Sequence, residues 1–222
     1  MDRSGPIRSL MVFTLVGGTL LAVAAGCNAV ATAWWVIKDG KTYPAEYKGL
    51  NGKKVAVVVR GPRTGMFHQA QNMPYQLTRN INRLLKENLS KKTQIVSAER
   101  IESATDNQEW ESFVEVGRQL NADRVVAIEV DDFRQNLGTT AYGGTASLSI
   151  SVFDLEGDDE EVYGPKAMRD IRFPPTTESM PAGNMSRAQF TDLFIRHLAD
   201  HIARNFYDHD PRADFAGYGS MD

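Results

Sequence analysis

VAVVVR, at Val55–Arg60, and DRVVAIEVDD, at Asp123–Asp132, are the two stretches that decide the fold. Each is a continuous run of mainly β-branched or other apolar residues, which is typical of a strand buried on both faces of a sheet. The chain between them is long enough for crossover connections that cover the sheet and return in parallel. The two runs therefore predict the centre of an α/β sheet with helices packed on it.

Helical patterns lie between and after these strands. Tyr75–Leu89 has apolar residues three and four positions apart, which predicts an amphipathic helix. A cap at Asp106 or Asn107 predicts a second helix, with an apolar stripe at Trp110, Phe113, Val114, Gly117 and Leu120. A closing helix is predicted from about Ser186 to Tyr207, with its stripe at Phe190, Leu193, Phe194, Leu198, Ile202 and Phe206.

The remaining strands form the antiparallel part of the predicted sheet. Thr145–Leu155 alternates apolar and polar residues, which predicts a strand with one buried face. The loop Gly138–Gly144 precedes it, and the acidic turn Asp154–Glu160 follows, leading to a strand near Val162–Phe173. With a short strand at Thr93–Ser97, the predicted fold class is α/β (α+β), a single mixed β-sheet of about five strands packed by three or four helices.

The amino-terminal segment has the layout of an exported lipoprotein. Arg3 and Arg8 precede an apolar run that ends in Ala24-Ala25-Gly26-Cys27, which resembles the bacterial lipobox. Residues 1–26 are therefore predicted to be a cleaved lipoprotein signal peptide. Cys27, the only cysteine, is predicted to carry acyl chains of the palmitate type. A plain cleaved signal and an uncleaved transmembrane anchor over residues 10–37 are the alternatives.

Lipidation of Cys27 predicts a protein of the bacterial cell envelope, anchored to a membrane and facing the periplasm. Asn28 stands where many lipoproteins of the inner membrane have Asp, which favours the outer membrane. Residues 27–52 are predicted to be a membrane-proximal lead-in, 53–208 the α/β domain and 209–222 a flexible carboxyl-terminal tail.

Composition argues against several classes of function. The 222 residues carry a net charge of −3, and because residues 1–26 carry +1, the remainder is at −4. That balance gives no electrostatic footprint for nucleic acid. No basic run predicts binding to anionic lipid beyond the anchor. A single cysteine allows no internal disulfide, so the fold must be stabilised by its core.

No set of catalytic residues is recognised, so the protein is predicted not to be an enzyme and to hold no cofactor. Gly61–Gly65 follows a strand as a phosphate loop would, but it lacks Gly-Lys-Ser/Thr, and Pro62 removes a backbone donor. Asp154–Glu161 lacks the spacing of a calcium loop. A further acidic group lies at the end of a predicted strand, at Glu129, Asp131 and Asp132. These residues could line a cleft, or they could be solvated charges at the strand end.

His197 and His201 are the candidates for a metal site. Their spacing of four residues on the closing helix brings two imidazoles to one face. Zinc would need at least one more ligand, and the nearby polar residues in the sequence are Asp208, His209 and Asp210. Packing at the edge of the apolar stripe is the favoured interpretation.

Three segments, 61–74, 134–144 and 174–185, are predicted to be loops longer than the connections need. Long loops on a rigid scaffold often carry binding function. The apolar residues that could make contacts there are Met66, Phe67 and Tyr142.

Several stretches, taken together, are similar to one known group of proteins. They are the opening strand Lys54–Val58, the stretch Gln119–Val126, the Ser-rich strand ending at Val152–Gly157, and the closing amphipathic helix. Over residues 53–207 this pattern resembles the envelope lipoprotein superfamily that includes curli-secretion (CsgG-like) proteins, penicillin-binding-protein activators of the LpoB type and the amino-terminal domain of TolB. The chain has Asn121-Ala122-Asp123 where that group typically has Gly-Ala-Asp.

The resemblance implies a non-enzymatic scaffold or accessory subunit of an envelope assembly or secretion complex, which binds other envelope proteins and could form a homo-oligomer. A pore is not expected, because only Thr145–Leu155 alternates strongly and the fold already uses it. Two other functions stay open: a metal- or small-molecule-binding periplasmic domain, and a single-pass membrane-anchored protein.

Overall fold

A computed structural model describes residues 42–62, 72–106, 110–175, 179–183 and 185–210. The predicted signal peptide, Cys27 and most of the predicted tail lie outside these ranges. Within the compact unit Pro44–His209, the strands are β1 Lys54–Arg60, β2 Gln94–Ile95, β3 Arg124–Leu137, β4 Ala141–Asp154, β5 Glu160–Phe173 and β6 Met180–Pro181. The described helices are α1 Met73–Asn88, α2 Ala98–Asp106, α3 Phe113–Gln119 and α4 Arg187–Ala203.

The strands form one mixed sheet in the order β2-β1-β3-β4-β5, and β6 pairs with β4. β1 is parallel to β2 and β3, whereas β3, β4 and β5 form an antiparallel meander. Residues 55–59 of β1 are all buried, which confirms the strand predicted from VAVVVR. The predicted fold class, a single mixed sheet of about five strands with three or four helices, is also confirmed.

Apolar residues cover both faces of the sheet. On one face α1 and α4 pack together, and Phe194 of α4 stacks on Phe133 of β3 with ring centroids 5.0 Å apart. On the other face the core residues Ala56, Val58 and Val125 cluster with apolar side chains of α2 and α3. Full burial of a large apolar side chain stabilises the fold by about 1.5–3 kcal/mol, so these two layers account for the position of the helices.

The second predicted helix is present as α3, but its predicted cap is wrong, and a further helix, α2, precedes it. Asp106 is the last residue of α2 and not a cap, while Asn107 lies outside the described residues. Ser112 caps α3 instead, where its Oγ accepts a hydrogen bond from the Glu115 N–H at 3.1 Å. α2 buries only Ala98, Ile101 and Ala104, so its apolar face has a single large side chain.

The loop predicted at Gly138–Gly144 is also wrong, because β3 extends to Leu137 and β4 begins at Ala141. A bulge between Val130 and Asp132 shifts the alternation of β3, which ends the apolar pattern before the strand ends. Gly144 is a residue type typical of turns, but here its missing side chain leaves room for α4 to pack on β4. A Cβ there would lie 2.6 Å from Phe194 Cε1.

The closing helix is present as α4, and its start has a clear cause. Ser186 Oγ accepts a hydrogen bond from the Gln189 N–H at 3.2 Å, and Gln189 Oε1 accepts one from the Ser186 N–H at 2.7 Å. This reciprocal pair satisfies backbone donors at the helix start. The helix ends at Ala203, before the predicted Tyr207, although Phe206 remains buried.

Candidate functional site

The lead-in segment, Pro44–Lys53, is folded against one end of the domain. The Ala45 N–H donates a hydrogen bond to Asp208 Oδ1 at 2.8 Å. The Tyr47 N–H donates to the Asn205 carbonyl at 2.9 Å. Both partners follow α4, so the segment that comes from the predicted lipid anchor is bonded to the far end of the chain.

Tyr47 is the apolar centre of this contact. Its ring centroid lies 5.4 Å from that of Tyr163 on β5 and 6.4 Å from that of Phe206. The Tyr163 hydroxyl donates a hydrogen bond to Glu46 Oε2 at 3.0 Å. Burial of the ring, together with that bond to the carboxylate, raises the pKa of Tyr163 well above its ordinary value, so the hydroxyl stays a donor.

Glu46 supplies the charged part of the same contact. Its Oε1 accepts a hydrogen bond from Lys166 Nζ at 2.5 Å, and Lys166 also donates to Asn205 Oδ1 at 2.7 Å. The bond from Lys166 lowers the pKa of Glu46 below its ordinary value, against the opposing effect of desolvation. We call this set the clamp: Glu46, Tyr47, Tyr163, Lys166, Asn205 and Phe206.

A second charged network lies at the end of the lead-in. Arg124 Nη1 donates to a carboxylate oxygen of Asp154 and, at 2.9 Å, to Glu156 Oε2. Lys53 Nζ donates to the same Glu156 oxygen at 2.5 Å. Because the Arg124 side chain is only 11% exposed, this network fixes the start of β1 to the turn between β4 and β5.

Sequence reasoning missed the clamp because its partners lie far apart along the chain. The Glu46–Lys166 bond joins residues 120 positions apart. No periodic pattern signals such a contact. Tyr47 and Leu50, the two large apolar side chains of this polar segment, are the local signals that could have marked the lead-in as packed.

His197 and His201 lie side by side on α4. Their ring centroids are 4.5 Å apart, and the ring of the buried His197 lies 5.3 Å from Phe173. His209 Nδ1 lies 3.3 Å from the carbonyl oxygen of Tyr207. Across the described residues, no group of three or more His, Cys, Asp or Glu side chains is placed to hold a metal ion.

Glu129, Asp131 and Asp132 do not lie at a strand end as predicted, because β3 continues to Leu137. Glu129 Oε1 lies 3.9 Å from Arg60 Nη1. Asp132 Oδ2 accepts a hydrogen bond from Arg134 Nε at 2.7 Å. Two of the three carboxylates thus contact arginines on the surface of the sheet.

Of the residues predicted to make contacts in the long loops, one is described by the structure and two are not. Tyr142 is wrong as a loop contact, because it is a buried residue of β4 whose ring lies 5.5 Å from that of Phe190. The predicted loop 134–144 is mostly strand. Met66 and Phe67 lie outside the described residues.

A cavity of about 130 Å³ lies at the carboxyl end of β1, between α1 and α2. It exists because β2 pairs only with Lys54 and Val55, which leaves the rest of that edge of β1 without a strand. Thr78 Oγ1 donates to the Val57 carbonyl at 3.3 Å in place of a strand partner. Its lining combines apolar and polar side chains, among them Val59, Tyr75, Ile101, Glu102, Thr105 and Asp106.

Within the ranges that the structure describes, no helix has both the length and the apolar character needed to cross a membrane. The lipidation predicted at Cys27 and the alternative anchor over residues 10–37 lie outside those ranges.

No protein-family model matches the chain, and no curated protein matches it. Similar solved structures include the hypothetical protein CT253 from Chlamydia trachomatis, with 15% identity, a TM-score of 0.40, and coverage of 69% of this chain and 97% of that one. Lipoprotein GNA1162 from Neisseria meningitidis has 12% identity, a TM-score of 0.37, and coverage of 68% and 97%. The PelC dodecamer from Paraburkholderia phytofirmans has 11% identity, a TM-score of 0.42, and coverage of 73% and 93%. No family or function is assigned from these similarities.

Proposed function

We propose that the protein is a cell-envelope lipoprotein, anchored through Cys27, that acts as a non-enzymatic scaffold or accessory subunit of an envelope assembly or secretion complex. The observation that carries the proposal is the sequence Ala24-Ala25-Gly26-Cys27 at the end of a basic and then apolar leader. The resemblance of residues 53–207 to the envelope lipoprotein superfamily supports it.

The clamp fits a domain held close to a membrane. Cys27 and Pro44 are 17 positions apart (44 − 27), so the chain between them spans at most about 60 Å when fully extended. Several acyl chains on one residue are enough to hold a protein on a bilayer without a spanning helix. The folded unit would therefore work within that distance of the bilayer, attached through its lead-in.

The outer strand β5 offers a surface for protein partners. Nine of its 14 residues are exposed, and no strand pairs with its outer edge within the described sheet. Such an edge can accept an added strand from another chain. Pro165 and the charged residues Arg169, Asp170 and Arg172 restrict indiscriminate pairing there. The same edge is available for self-association of this chain.

The lipid anchor is tested by the mass of the mature amino terminus, measured on protein extracted from membranes. A diacylglyceryl mass on Cys27 is the expected result, and the Cys27→Ala variant should lack it. An intact Met1 with an unmodified Cys27 would overturn the lipoprotein and favour the spanning segment over residues 10–37.

The scaffold role is tested by cross-linking in intact membranes followed by purification of the full chain. We expect one or more envelope proteins, or further copies of this chain, to be recovered. Substitution of Arg169 and Arg172 on β5 by Glu should reduce that recovery if β5 is the contact. Recovery of no protein partner and a monomeric mass for the lipidated chain would together contradict the role.

Small-molecule binding is a second candidate function, and the cavity beside β1 is the observation that favours it. Its polar side chains, Tyr75, Glu102, Thr105 and Asp106, could orient a small polar ligand against an apolar wall. Native mass spectrometry of the purified chain tests this. A bound molecule that is lost in the Asp106→Asn variant would support the candidate, and an unliganded mass would remove it.

A further inference from the structure

Five basic side chains between residues 79 and 100 have no ion-pair partner in the part of the chain that the structure describes: Arg79, Lys86, Lys91, Lys92 and Arg100. All five are exposed. Many of the other described cations are paired, for example Lys48 with Asp208 at 3.0 Å and Arg118 with Asp159 at 2.6 Å. The unpaired positive charge is therefore concentrated around α1.

Helix α1 brings two of these cations, Arg79 and Lys86, to one face together with Arg83, which is paired with Glu87. Arg79, Arg83 and Lys86 are spaced four and three residues apart, so they form one stripe along α1. The stripe lines a cavity of about 390 Å³ whose other wall is the start of α2, at Ser97–Glu99. We call the set Arg79, Arg83, Lys86, Lys91, Lys92 and Arg100 the basic face.

Two carboxylates also line this cavity, and both are bonded within the protein. Glu87 accepts hydrogen bonds from Arg83 Nη1 at 3.1 Å. Glu99 Oε1 accepts a hydrogen bond from the Tyr75 hydroxyl at 3.2 Å. Bonds to its own backbone N–H and to the Ser97 hydroxyl lower the pKa of Glu99, so it remains ionised and held at the helix start. The cations outnumber these acids on the basic face.

The lead-in segment joins the domain directly beside this face. Asn51 Oδ1 accepts a hydrogen bond from the Ser90 N–H at 3.0 Å. The Gly52 N–H donates to Thr93 Oγ1 at 2.9 Å. These two bonds flank Lys91 and Lys92, so the chain that comes from Cys27 is fastened to the turn that carries the two lysines.

We propose that the basic face rests on the anionic phospholipid headgroups of the membrane that holds Cys27. The inference rests on the proposed function, because the lipid anchor is what brings this face within reach of a bilayer. A basic cluster next to an acyl anchor supplies a second, electrostatic attachment to phosphate groups. It also selects one orientation of the domain, with α1 towards the lipid.

The test uses the full chain purified from membranes and reconstituted into vesicles of phosphatidylcholine, with or without phosphatidylglycerol. An amine-reactive label followed by mass spectrometry measures the accessibility of Lys86, Lys91 and Lys92. Lys53, which Glu156 holds at 2.5 Å, serves as the internal reference. In phosphatidylglycerol we expect labelling of the three lysines to fall about fivefold relative to phosphatidylcholine. The difference should disappear at about 1 M salt, where charges are screened within ~3 Å.

Variants identify the residues responsible. The Arg79→Glu/Arg83→Glu double variant should abolish the lipid-dependent protection of Lys91 and Lys92. The matched control is Arg118→Glu/Arg134→Glu on α3 and β3, which reverses two exposed charges elsewhere and should leave the protection unchanged. Urea unfolding of both variants shows that they are folded. Equal labelling of the wild type in the two lipids, or loss of protection in the control variant alone, would overturn the proposal.

Other anions give distinct outcomes. Soluble glycerol phosphate should not protect the lysines, and protection by it in phosphatidylcholine would assign a free phosphate ligand instead. Protection that appears only when an acidic protein remains bound would assign a protein partner. The mass of the amino terminus, taken on the same sample, separates the two proposals. A lipidated Cys27 with equal labelling in the two lipids contradicts only the proposed contact between the basic face and the headgroups. An unmodified Cys27 contradicts the proposed lipid anchor.

Discussion

Glu46 Oε1 lies 2.5 Å from Lys166 Nζ, and this bond attaches the lead-in segment to β5, the outer strand of the sheet. The two residues are 120 positions apart, so the bond forms only in the folded unit. The side chains are 53% and 33% exposed, which limits the strength of the pair.

The Glu46→Gln variant should show how this bond depends on pH. Because Lys166 lowers the pKa of Glu46 in the folded protein, the bond stabilises the fold above the ordinary value of 4.5, and that stabilisation is lost as the pH falls through the lowered pKa. At neutral pH we expect the variant to lose up to ~1 kcal/mol of unfolding free energy. Urea unfolding over a series of pH values should show the difference shrinking in acid. If the difference persists unchanged in a Lys166→Met background, Lys166 is not its source.

Removal of the Tyr47 ring should destabilise the whole unit. The Tyr47 ring packs on Tyr163 and Phe206 but is only half-buried. Tyr47→Ala is therefore expected to lower the free energy of unfolding by about 2 kcal/mol, somewhat less than the loss of a fully buried aromatic residue. Chemical denaturation measures the loss. Tyr47→Phe keeps the ring and should retain most of the stability. Equal stability of Tyr47→Ala and the wild type would show that the lead-in is not packed as described.

Gly144→Ala should destabilise the protein by about 1–3 kcal/mol, as expected for overpacking. The added Cβ would lie 2.6 Å from Phe194 Cε1, and that ring is itself fixed by Phe133 and Phe173. Thermal unfolding checks the value. Gly157→Ala is the matched control, because a Cβ there meets nothing within 4 Å. A tolerated Gly144→Ala would contradict the close approach of α4 to β4.

Loss of the cap of α4 should have a smaller effect. Ser186→Ala leaves the Gln189 N–H without its acceptor and is expected to cost about 1 kcal/mol. Ser103→Ala in the exposed part of α2 provides a comparison, since Ser103 donates only to a carbonyl of its own helix. The midpoint of urea unfolding is compared for the two variants, and we expect the larger decrease for Ser186→Ala. The cap would be unimportant if both variants unfold at the wild-type midpoint.

Metal removal should leave the stability unchanged. His197 and His201 are adjacent, but within the described residues they have no third metal-ligating side chain beside them, and zinc sites use at least three protein ligands. We therefore expect the same melting temperature with and without a chelator, and no bound metal in elemental analysis. A fall in melting temperature on chelation, absent in the His201→Ala variant, would refute this.

The central strands and the longest helices could be predicted because their signal is local. Val55–Val59 is apolar throughout, and the stripe of α4 repeats with the period of a helix. The limits of β3 and β4 could not be predicted. The bulge after Val130 shifts the alternation, and the glycines of β4 resemble those of a turn. α2 was missed because its buried face is made mainly of small residues.

The clamp and the basic face both depend on tertiary structure. The clamp joins residues from the lead-in, from β5 and from the segment that follows α4, which no local pattern connects. The basic face has no single basic run in the sequence, because its six cations are spread over residues 79–100 with Glu87 and Glu99 among them. The fold gathers these cations around α1, where they outnumber the neighbouring Glu87 and Glu99, so a chain with a net charge of −3 still presents a cationic surface.

The path of the lead-in determines how the domain would bear tension from a membrane anchor. A pull on Pro44 first loads the bonds of Ala45 to Asp208 and of Glu46 to Lys166, and then the ring of Tyr47. β1, the first strand along the chain, starts only at Lys54. Mechanical force would therefore load β5 and the residues that follow α4 before it reaches Leu50, the lead-in residue that is fully buried in the core.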